Sequence, residues 1–518
     1  MKSVALSVGV KMFMVGAVAS LAACGGSVAP SGSSTVVTPA PSSQPSAAPS
    51  HAPLRETPDA PFRAGAPDPG ATSRFVPPVI EDFTLRSGLR VLLVERHDLP
   101  VVVAEYVTRR GGDDVATDRA GLASLVGALL EMGTTHRNAL ELSDAYAALG
   151  AEHGSSMGYS FGVVFAKVLS SNLVPTLEIL ADIVQHPAFA AEEIERARSV
   201  RLAALQQEVD SPAIVAANVG NRVVYGDRHP YGFSPSGTPD TVRAINEADI
   251  RRFYATHYVP AQSALVVVGD VTRAALTPMV DQAFGAWQAT APRQRAVAAP
   301  PSPATRGPRV FLVERAGAPQ SVVSVTQAGV ARTSPDYLPL SAMNTILGGT
   351  FSSRINLNLR ETHAFTYGAR SAFQFRRGAG PFTAGGAIIT AHTAEAVHEI
   401  LVELERMRST DVTVDELSLA KARLAETLPS RFETTDETAS AVAELFAMGL
   451  PLNDYATLGQ RIQAVTVADV RRVAMRYLAP ATARIVVVGD HATVAAPLSA
   501  LNIGAVESRG PRGETVAP

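Results

Sequence analysis

The sequence predicts an α+β protein built from two tandem homologous domains, each with helices packed on a mainly antiparallel sheet. Two observations carry this prediction. The 518-residue chain, 46% hydrophobic, contains a repeat that returns after about 220 residues. In each copy, strand-like segments stand before and after a block of helical segments. A period of this length indicates paired domains, because solenoid repeats are much shorter.

The first 78 residues are predicted to lie outside the two domains. Residues 1–23 have the pattern of a lipoprotein signal peptide, in which a short apolar stretch ends in Leu-Ala-Ala before Cys24. This ending resembles a bacterial lipobox, so we expect Cys24, the only cysteine, to carry the lipid that anchors the protein. The alternative is an ordinary signal peptide followed by a buried cysteine. Residues 24–78 are rich in proline, serine and alanine and predict a disordered tether.

The N-terminal region predicts where the protein is located, and the net charge of the chain predicts one class of partner that it lacks. Gly25 follows Cys24, where many inner-membrane lipoproteins have Asp. We therefore expect the protein in the cell envelope, lipid-anchored at the periplasmic face of the outer membrane. The chain carries 45 Lys and Arg against 48 Asp and Glu, so its net charge of −3 gives no basic field for nucleic acid. No nucleic-acid partner is expected.

The first domain is predicted to span residues 79–290. Two apolar, β-branched runs open it, a strand-like segment lies in its middle and a buried strand closes it. Segments with apolar residues at helical spacing lie between them. The predicted strands are residues 88–94, 101–107, 154–169 and 264–268, and the predicted helices are residues 122–132, 140–149, 173–184, 191–209 and 213–224.

The second domain is predicted to span residues 309–497, after a proline-rich linker at 291–308 and before a tail at 498–518. Val-Leu-Leu-Val-Glu-Arg begins at residue 91 and Val-Phe-Leu-Val-Glu-Arg at residue 310, while Val-Val-Val-Gly-Asp begins at residues 266 and 486. Signals from opposite ends of the domain keep nearly the same offset, so a whole domain is repeated. The repeat predicts helices at 338–347, 394–407 and 414–428 and a closing strand at 485–488.

Several short motifs stand in a fixed order along both domains. They are Gly-Leu-Ala at 121–123, Gly-Thr at 133–134, His-Pro-Tyr-Gly at 229–232, Phe-Ser-Ser-Arg at 351–354, Leu-Arg-Glu at 359–361 and Thr-Tyr-Gly at 366–368. With these motifs the chain resembles the pitrilysin/insulinase family of zinc metallopeptidases, in its bacterial two-domain branch, which is related to the mitochondrial processing peptidase. The resemblance covers residues 80–495 and implies two-domain halves that close around a chamber holding an unfolded peptide.

The zinc-binding residues of the resembled family are missing from the matching positions. Active members carry His-x-x-Glu-His on the first helix, with two histidine ligands and a glutamate that activates water. Between Gly-Leu-Ala and Gly-Thr, this sequence has Ser124, Gly127 and Ala128 at those positions, and Ala204 where the third ligand is expected. The resemblance therefore implies a degenerate zinc motif, no metal held by this chain and no activity by the chain alone.

One other segment has metal-ligating residues at a regular spacing. His392, Glu395 and His398 form His-x-x-Glu-x-x-His. On a helix, residues six apart point in widely different directions, so the two imidazoles cannot converge on one ion as an i, i+4 pair does. We expect this segment to be an ordinary helix start and not a zinc site.

The second domain keeps a pair of residues that the resemblance associates with substrate. In the family, an arginine and a tyrosine seven residues later hydrogen-bond the peptide backbone near the scissile bond. Arg360 and Tyr367 match this pair. Guanidinium and phenol donors can polarise a carbonyl and stabilise an oxyanion. The alternative is a surface ion pair between Arg360 and Glu361, with Tyr367 capping the core.

The resemblance implies an asymmetric protein, with the zinc half degenerate and the substrate-binding half intact. In bacteria with this family, one subunit often carries zinc and a companion carries the arginine and tyrosine. The leading hypothesis is a non-catalytic, peptide-binding subunit of an envelope zinc peptidase, which forms a heterodimer with a zinc-bearing partner and holds an extended peptide at its strand edges. Three alternatives stay open: a stand-alone peptide-binding or scaffold lipoprotein, a metalloendopeptidase with unrecognised zinc ligands, and a structural homodimer.

Overall fold

The computed structural model describes residues 75–288, 297–301 and 309–516. The predicted signal peptide, Cys24 and nearly all of the predicted tether lie outside these residues, as does most of the predicted linker. Within the described ranges, no helix combines the length and the apolar character needed to cross a membrane.

The first domain consists of a six-stranded mixed sheet and eight helices among the described residues. The sheet order is β1-β2-β6-β3-β5-β4, with β2 and β6 parallel and the other neighbours antiparallel. In chain order the elements are β1 Glu81–Thr84, β2 Arg90–Glu95, β3 Val101–Thr108, α1 Leu122–Leu130, α2 Ala139–Ala148, β4 Glu152–Met157, β5 Gly162–Leu169, α3 Leu173–Gln185, α4 Ala191–Glu208, α5 Pro212–Tyr225, α6 Pro239–Ala244, α7 Glu247–His257, β6 Ser263–Gly269 and α8 Arg273–Phe284.

The second domain repeats this plan, and its sheet has the order β12-β7-β11-β8-β10-β9. The pairs β12–β7 and β7–β11 are parallel, and the remaining pairs, β11–β8, β8–β10 and β10–β9, are antiparallel. The elements are β7 Val310–Glu314, β8 Gln320–Ala328, α9 Tyr337–Asn344, α10 Arg354–Asn356, β9 Ala369–Phe373, β10 Pro381–Ile389, α11 Thr393–Ser409, α12 Val414–Ser430, α13 Thr435–Met448, α14 Asp454–Ala464, α15 Val467–Tyr477, β11 Arg484–Gly489, α16 His491–Ala500 and β12 Val506–Ser508. Two π-helical segments, Thr345–Gly349 and Leu357–Thr362, follow α9 and α10.

Two predicted boundaries differ from the structure. The single strand-like segment predicted at 154–169 is a hairpin of β4 and β5, because the chain turns at 158–161, where the Gly158 amide donates to the Phe161 carbonyl. The second domain also continues past residue 497, where the sequence placed a tail. Helix α16 ends at Ala500, and β12 pairs in parallel with β7. A strand of three residues is too short to show a hydrophobic periodicity in the sequence. It joins the sheet because β7 has an unpaired edge next to it.

Each sheet is covered on its second face by a helix of the other domain. Residues of β2, β3 and β6 alternate between the two faces, and the side chains of Leu92, Val103 and Val266 pack against Ala443 and Phe446 of α13. This burial on both faces explains the continuous apolar runs of these strands.

The exchange is reciprocal, because α5 of the first domain covers the second sheet. Its Val215 and Val219 pack against Val486 and Val488 of β11. Gly220 lets the helix approach closely, since a Cβ atom there would lie 3.3 Å from the Thr326 Cγ2 atom of β8. The two domains of the chain are therefore packed together through helices that each supplies to the other.

A buried cluster of charges also joins the domains. The Arg377 guanidinium, which follows β9, reaches the Asp113 carboxylate at 2.5 Å and the Asp114 carboxylate at 2.6 Å. It also donates to the Arg109 carbonyl at 2.8 Å. The side chains of Asp113 and Asp114 are 0% and 5% exposed. Because these carboxylates are shielded from water, removing the arginine would leave a buried charge without a counter-ion and would destabilise the fold.

Candidate functional site

The segment aligned with the zinc motif forms the beginning of helix α1, and its first polar side chain is already bonded to the protein. Gly121 begins the helix with a φ of 99°, a left-handed conformation that favours glycine. The buried Ser124 hydroxyl lies 2.8 Å from the Pro235 carbonyl oxygen and 3.1 Å from the Gly121 carbonyl oxygen. Ser124 thus fastens α1 to the loop before α6.

Gly127, aligned with the catalytic glutamate of the family, lies against the edge strand β4. Its carbonyl accepts a hydrogen bond from the Ser155 hydroxyl at 2.9 Å. A Cβ atom built on Gly127 would lie 3.3 Å from the Cβ of Met157, which is a crowded contact. The Met157 side chain also lies against Gly162 in β5. A larger residue at position 127 would therefore press on Met157, which would have to move by a few tenths of an ångström.

The remaining positions of the motif lie on less buried surface. Ala128 is half-buried on α1, and Ala204 is exposed on α4, a helix that contacts α1. Ser124, Gly127, Ala128 and Ala204 together offer one hydroxyl and no imidazole or carboxylate. Zinc in proteins is bound by thiolate, imidazole and carboxylate groups, so these four side chains do not make a zinc site of the usual kind.

Arg360 and Tyr367 are brought together on the surface of the second domain, with Phe351 beside them. The Arg360 Cζ atom lies 4.3 Å from the centroid of the Phe351 ring and 4.8 Å from that of the Tyr367 ring. The two aromatic residues are 65% and 75% exposed. Guanidinium groups are attracted to aromatic faces, so the rings hold the charged group at the surface. We call Phe351, Arg360 and Tyr367 the aromatic–arginine cluster.

The backbone around this cluster departs from α-helical geometry. Arg360 lies in the π-helical segment Leu357–Thr362, which ends as the Ala364 amide donates to the Arg360 carbonyl at 3.2 Å and Ala364 takes a φ of 56°. π-Helical turns occur preferentially at functional sites, where they re-aim a side chain. Tyr367 follows in the connection to edge strand β9.

A buried asparagine links the two chain segments that carry the aromatic residues of the cluster. The Asn356 side-chain amide donates to the Phe351 carbonyl at 2.6 Å, and its oxygen accepts from the Ala369 amide at 3.0 Å. Asn356 is buried, so these hydrogen bonds are protected from water. Both the chain segment with Phe351 and the start of β9 after Tyr367 are fixed by this one side chain.

An ion pair anchors the same segment to α12. Two nitrogens of Arg354 donate to the two carboxylate oxygens of Glu416 at 2.7 and 2.8 Å. This bidentate contact, together with the hydrogen bond from the Thr413 amide, lowers the pKa of Glu416 to about 2 against the opposing effect of burial. The carboxylate stays ionised at neutral pH, so the anchor holds there.

The sequence left open that Arg360 forms a surface ion pair with Glu361 and that Tyr367 caps the core. The structure shows the first and not the second. Arg360 does pair with Glu361, with Nε and Oε1 3.2 Å apart. Tyr367 does not cap the core, because three quarters of its surface is exposed. The Tyr367 ring is therefore accessible from outside the protein.

Sequence reasoning assigned no role to Phe351 and Asn356. Phe351 belongs to the Phe-Ser-Ser-Arg motif, but only the structure shows that its ring is exposed beside Arg360. Elsewhere, the ring of His392 stacks on Phe365 with centroids 4.6 Å apart, and its Nδ1 atom lies 3.6 Å from a Glu395 carboxylate oxygen. His392 is also the N-cap of α11, which begins at Thr393.

Comparisons with known proteins find two family models, several relatives and several solved structures that match this chain. A family model described as insulinase (peptidase family M16) matches residues 111–225, and one described as peptidase M16 inactive domain matches residues 244–424. An uncharacterised zinc protease of Mycobacterium bovis is 27% identical over 401 residues, which cover 76% of this chain and 90% of the relative. The mitochondrial-processing peptidase subunit beta of Lentinula edodes is 24% identical over 424 residues, 79% of this chain and 89% of that protein. A crystal structure of a peptidase M16 inactive domain from Pseudomonas fluorescens has a TM-score of 0.72 and 24% identity, covering 79% of this chain and 98% of that one.

Proposed function

Because the chain belongs to the insulinase family of peptidases, we propose that it is a non-catalytic, substrate-binding subunit that completes the active chamber of a zinc-bearing partner. The observation that carries the proposal is the contrast between the two domains. Ser124, Gly127, Ala128 and Ala204 provide no ligand set for zinc, while Arg360 and Tyr367 meet on an exposed surface.

The packing of the two domains supports the need for a partner. Helices α5 and α13 bury the second face of each sheet against the other domain, and Arg377 ties the domains with a buried ion pair. The two domains of one chain are thus fastened to each other and form one half of a chamber. A second two-domain half, with its own zinc, supplies the other wall.

The proposed roles of the site residues follow from their chemistry. The zinc of the partner activates the water that attacks the peptide carbonyl. Arg360 and the Tyr367 hydroxyl of this chain hold the peptide and donate to the carbonyl oxygen as it gains negative charge. The edge strands β4 and β9 offer unpaired backbone groups, to which an extended peptide adds as a further strand.

The proposal also includes the membrane anchor predicted from the sequence. A lipid on Cys24 tethers the heterodimer at the periplasmic face of the outer membrane. Metabolic labelling with a palmitate analogue tests this part, since the label disappears in Cys24→Ser if the cysteine is the modified residue.

The central test mixes the purified full chain with a zinc-motif subunit of the same family from the same organism and follows cleavage of unfolded peptides. We expect no cleavage by this chain alone, cleavage by the mixture, and a loss of about a hundredfold or more in kcat with Arg360→Ala or Tyr367→Phe. Arg243→Ala, which removes an exposed arginine of the first domain, is the matched control and leaves activity unchanged.

The alternatives give different results in the same assay. A stand-alone scaffold binds peptides through the aromatic–arginine cluster but does not change the rate of any zinc-motif subunit. A peptidase with unrecognised ligands cleaves peptides without a partner and loses this activity when metal is chelated. Either result overturns the proposed subunit role.

A further inference from the structure

We propose that His136, Asp182 and His186 form a binding site for a divalent transition metal, with Zn²⁺ as the fitting ion, on the surface of the first domain. Each residue offers one ligand atom, and these atoms lie within 4.8 Å of one another. Among the residues that the structure describes, this is the only such group of three. The inference does not rest on the proposed function, because none of the three residues belongs to the aligned zinc motif or to the aromatic–arginine cluster.

The three side chains come from two adjoining segments. Asp182 lies in the last turn of α3 and His186 is the residue that caps it, so the two are one helical turn apart and face the same side. His136 lies in the loop between α1 and α2. The Nδ1 atoms of His136 and His186 lie 2.6 and 3.4 Å from the same oxygen of Asp182, Oδ1. Two imidazole nitrogens thus already converge on one carboxylate oxygen.

The second oxygen of Asp182 is used to orient the carboxylate. Oδ2 accepts a hydrogen bond from the Thr134 hydroxyl at 2.7 Å and lies 2.6 Å from Nη1 of Arg137. Ligating carboxylates are commonly held in this way by partners outside the metal site. Arg137 therefore occupies the side of the carboxylate away from the imidazoles and leaves Oδ1 to the metal.

The backbone that carries the two histidines is fixed before any metal binds. The Thr135 amide donates to the His186 carbonyl at 2.8 Å, the Ala188 amide donates to the Gly133 carbonyl at 3.2 Å, and Thr134 and Pro187 form an antiparallel bridge. Metal binding requires only rotation of two side chains, which are 61% and 51% exposed. A preorganised backbone lowers the entropic cost of assembling the site.

The chemistry of the group selects the class of ion. Two imidazoles and one carboxylate suit Zn²⁺ and neighbouring transition metals, whereas Mg²⁺ and Ca²⁺ prefer oxygen ligands alone. The site lies at the C-terminal end of α3, where the helix dipole favours a cation. The exposed imidazoles leave further coordination positions to water. The bound metal holds the loop with His136 onto the end of α3.

The test is a zinc titration of the purified full chain, prepared with a tag that contains no histidine and stripped of metal. We expect one saturable Zn²⁺ site, no comparable binding of Mg²⁺, and a higher unfolding temperature with zinc. His136→Ala/His186→Ala abolishes both effects, while the control His398→Ala/His491→Ala, which removes two exposed histidines elsewhere, keeps them. Thr134→Val leaves all three ligands and weakens binding about tenfold to a hundredfold.

A second measurement on the unaltered chain keeps the test independent of variant folding. The zinc X-ray absorption spectrum of the 1:1 complex shows two imidazole ligands if the assignment is right. Absence of a saturable site, equal binding by the double variant, or a spectrum without imidazole overturns it. None of these results bears on the subunit role, which is decided by cleavage in the mixing assay and not by zinc content.

Discussion

Replacing Arg377 by methionine removes the cation that joins the two domains while keeping a side chain of similar length. The guanidinium lies 2.5 Å from an Asp113 oxygen and 2.6 Å from an Asp114 oxygen, and its side chain is 13% exposed. Asp114 keeps a second cation, since Arg110 lies 2.9 Å from its other oxygen. Asp113 keeps only the Ser160 hydroxyl at 3.2 Å and the Tyr231 hydroxyl at 3.4 Å. The variant therefore leaves one buried carboxylate without a counter-ion.

Breaking a buried pair by removing one partner costs about 3–5 kcal/mol of the free energy of unfolding. We expect Arg377→Met to lose this amount in urea denaturation. The control Arg243→Met removes a partner of Asp240 in a pair whose side chains are 62% and 97% exposed, and it loses less than about 1 kcal/mol. Adding Asp113→Asn to Arg377→Met removes the unpaired charge and recovers part of the loss.

The pH dependence follows from the state of Asp113. Burial raises the pKa of Asp113, and Arg377 opposes this effect. Without Arg377 the pKa rises further, so the folded variant takes up a proton at low pH and releases it as the pH increases. A carboxyl whose pKa is raised in the folded state favours folding at low pH and loses that contribution as pH rises. The loss of unfolding free energy in Arg377→Met is thus smaller at about pH 5 than at about pH 8. A loss no larger than that of Arg243→Met, or one independent of pH, refutes the reasoning.

Three further predictions test burial elsewhere in the molecule. Burial raises the pKa of Glu105 to about 8 from an ordinary 4.5, so the folded chain loses stability as pH rises between these two values. We expect Glu105→Gln to make this loss smaller, which urea denaturation midpoints measured across the pH range would show. Phe446→Ala opens a cavity beneath the sheet of the other domain and lowers the free energy of unfolding by about 3–5 kcal/mol, measured in the same way. Gly127→Glu meets Met157 and lowers the unfolding free energy by about 1–3 kcal/mol, whereas Ala204→Glu on exposed surface changes it by no more than about 0.5 kcal/mol. Equal effects at positions 127 and 204 contradict the crowding at Gly127.

Much of the fold could be read from local pattern. The predicted strand at 101–107 and the observed β3, Val101–Thr108, differ by one residue, and the helix predicted at 191–209 is α4, Ala191–Glu208. These elements have long runs of one periodicity, which sequence reasoning handles well. The turn at 158–161 was missed because strand-like residues stand on both sides of it and its own residues carry no proline.

The candidate site was only partly predictable. The spacing of Arg360 and Tyr367 could be matched to a family pattern, but the contact of both with Phe351 depends on a π-helical segment that the sequence does not reveal. Asn356 had no signal at all, because its role is to link two segments that are adjacent only in the folded chain.

The sequence by itself determined that the chain contains two copies of one α+β domain and that the segment at 124–128 holds no metal-ligating side chain. Both are properties of residue identity and periodicity along the chain. Only the tertiary structure decided that α5 and α13 are exchanged between the domains, that Arg377 pairs with Asp113, and that His136 meets Asp182 and His186. The physical reason is that these contacts join residues far apart in sequence, and their partners are selected by the geometry of packed sheets and helices and not by local preference.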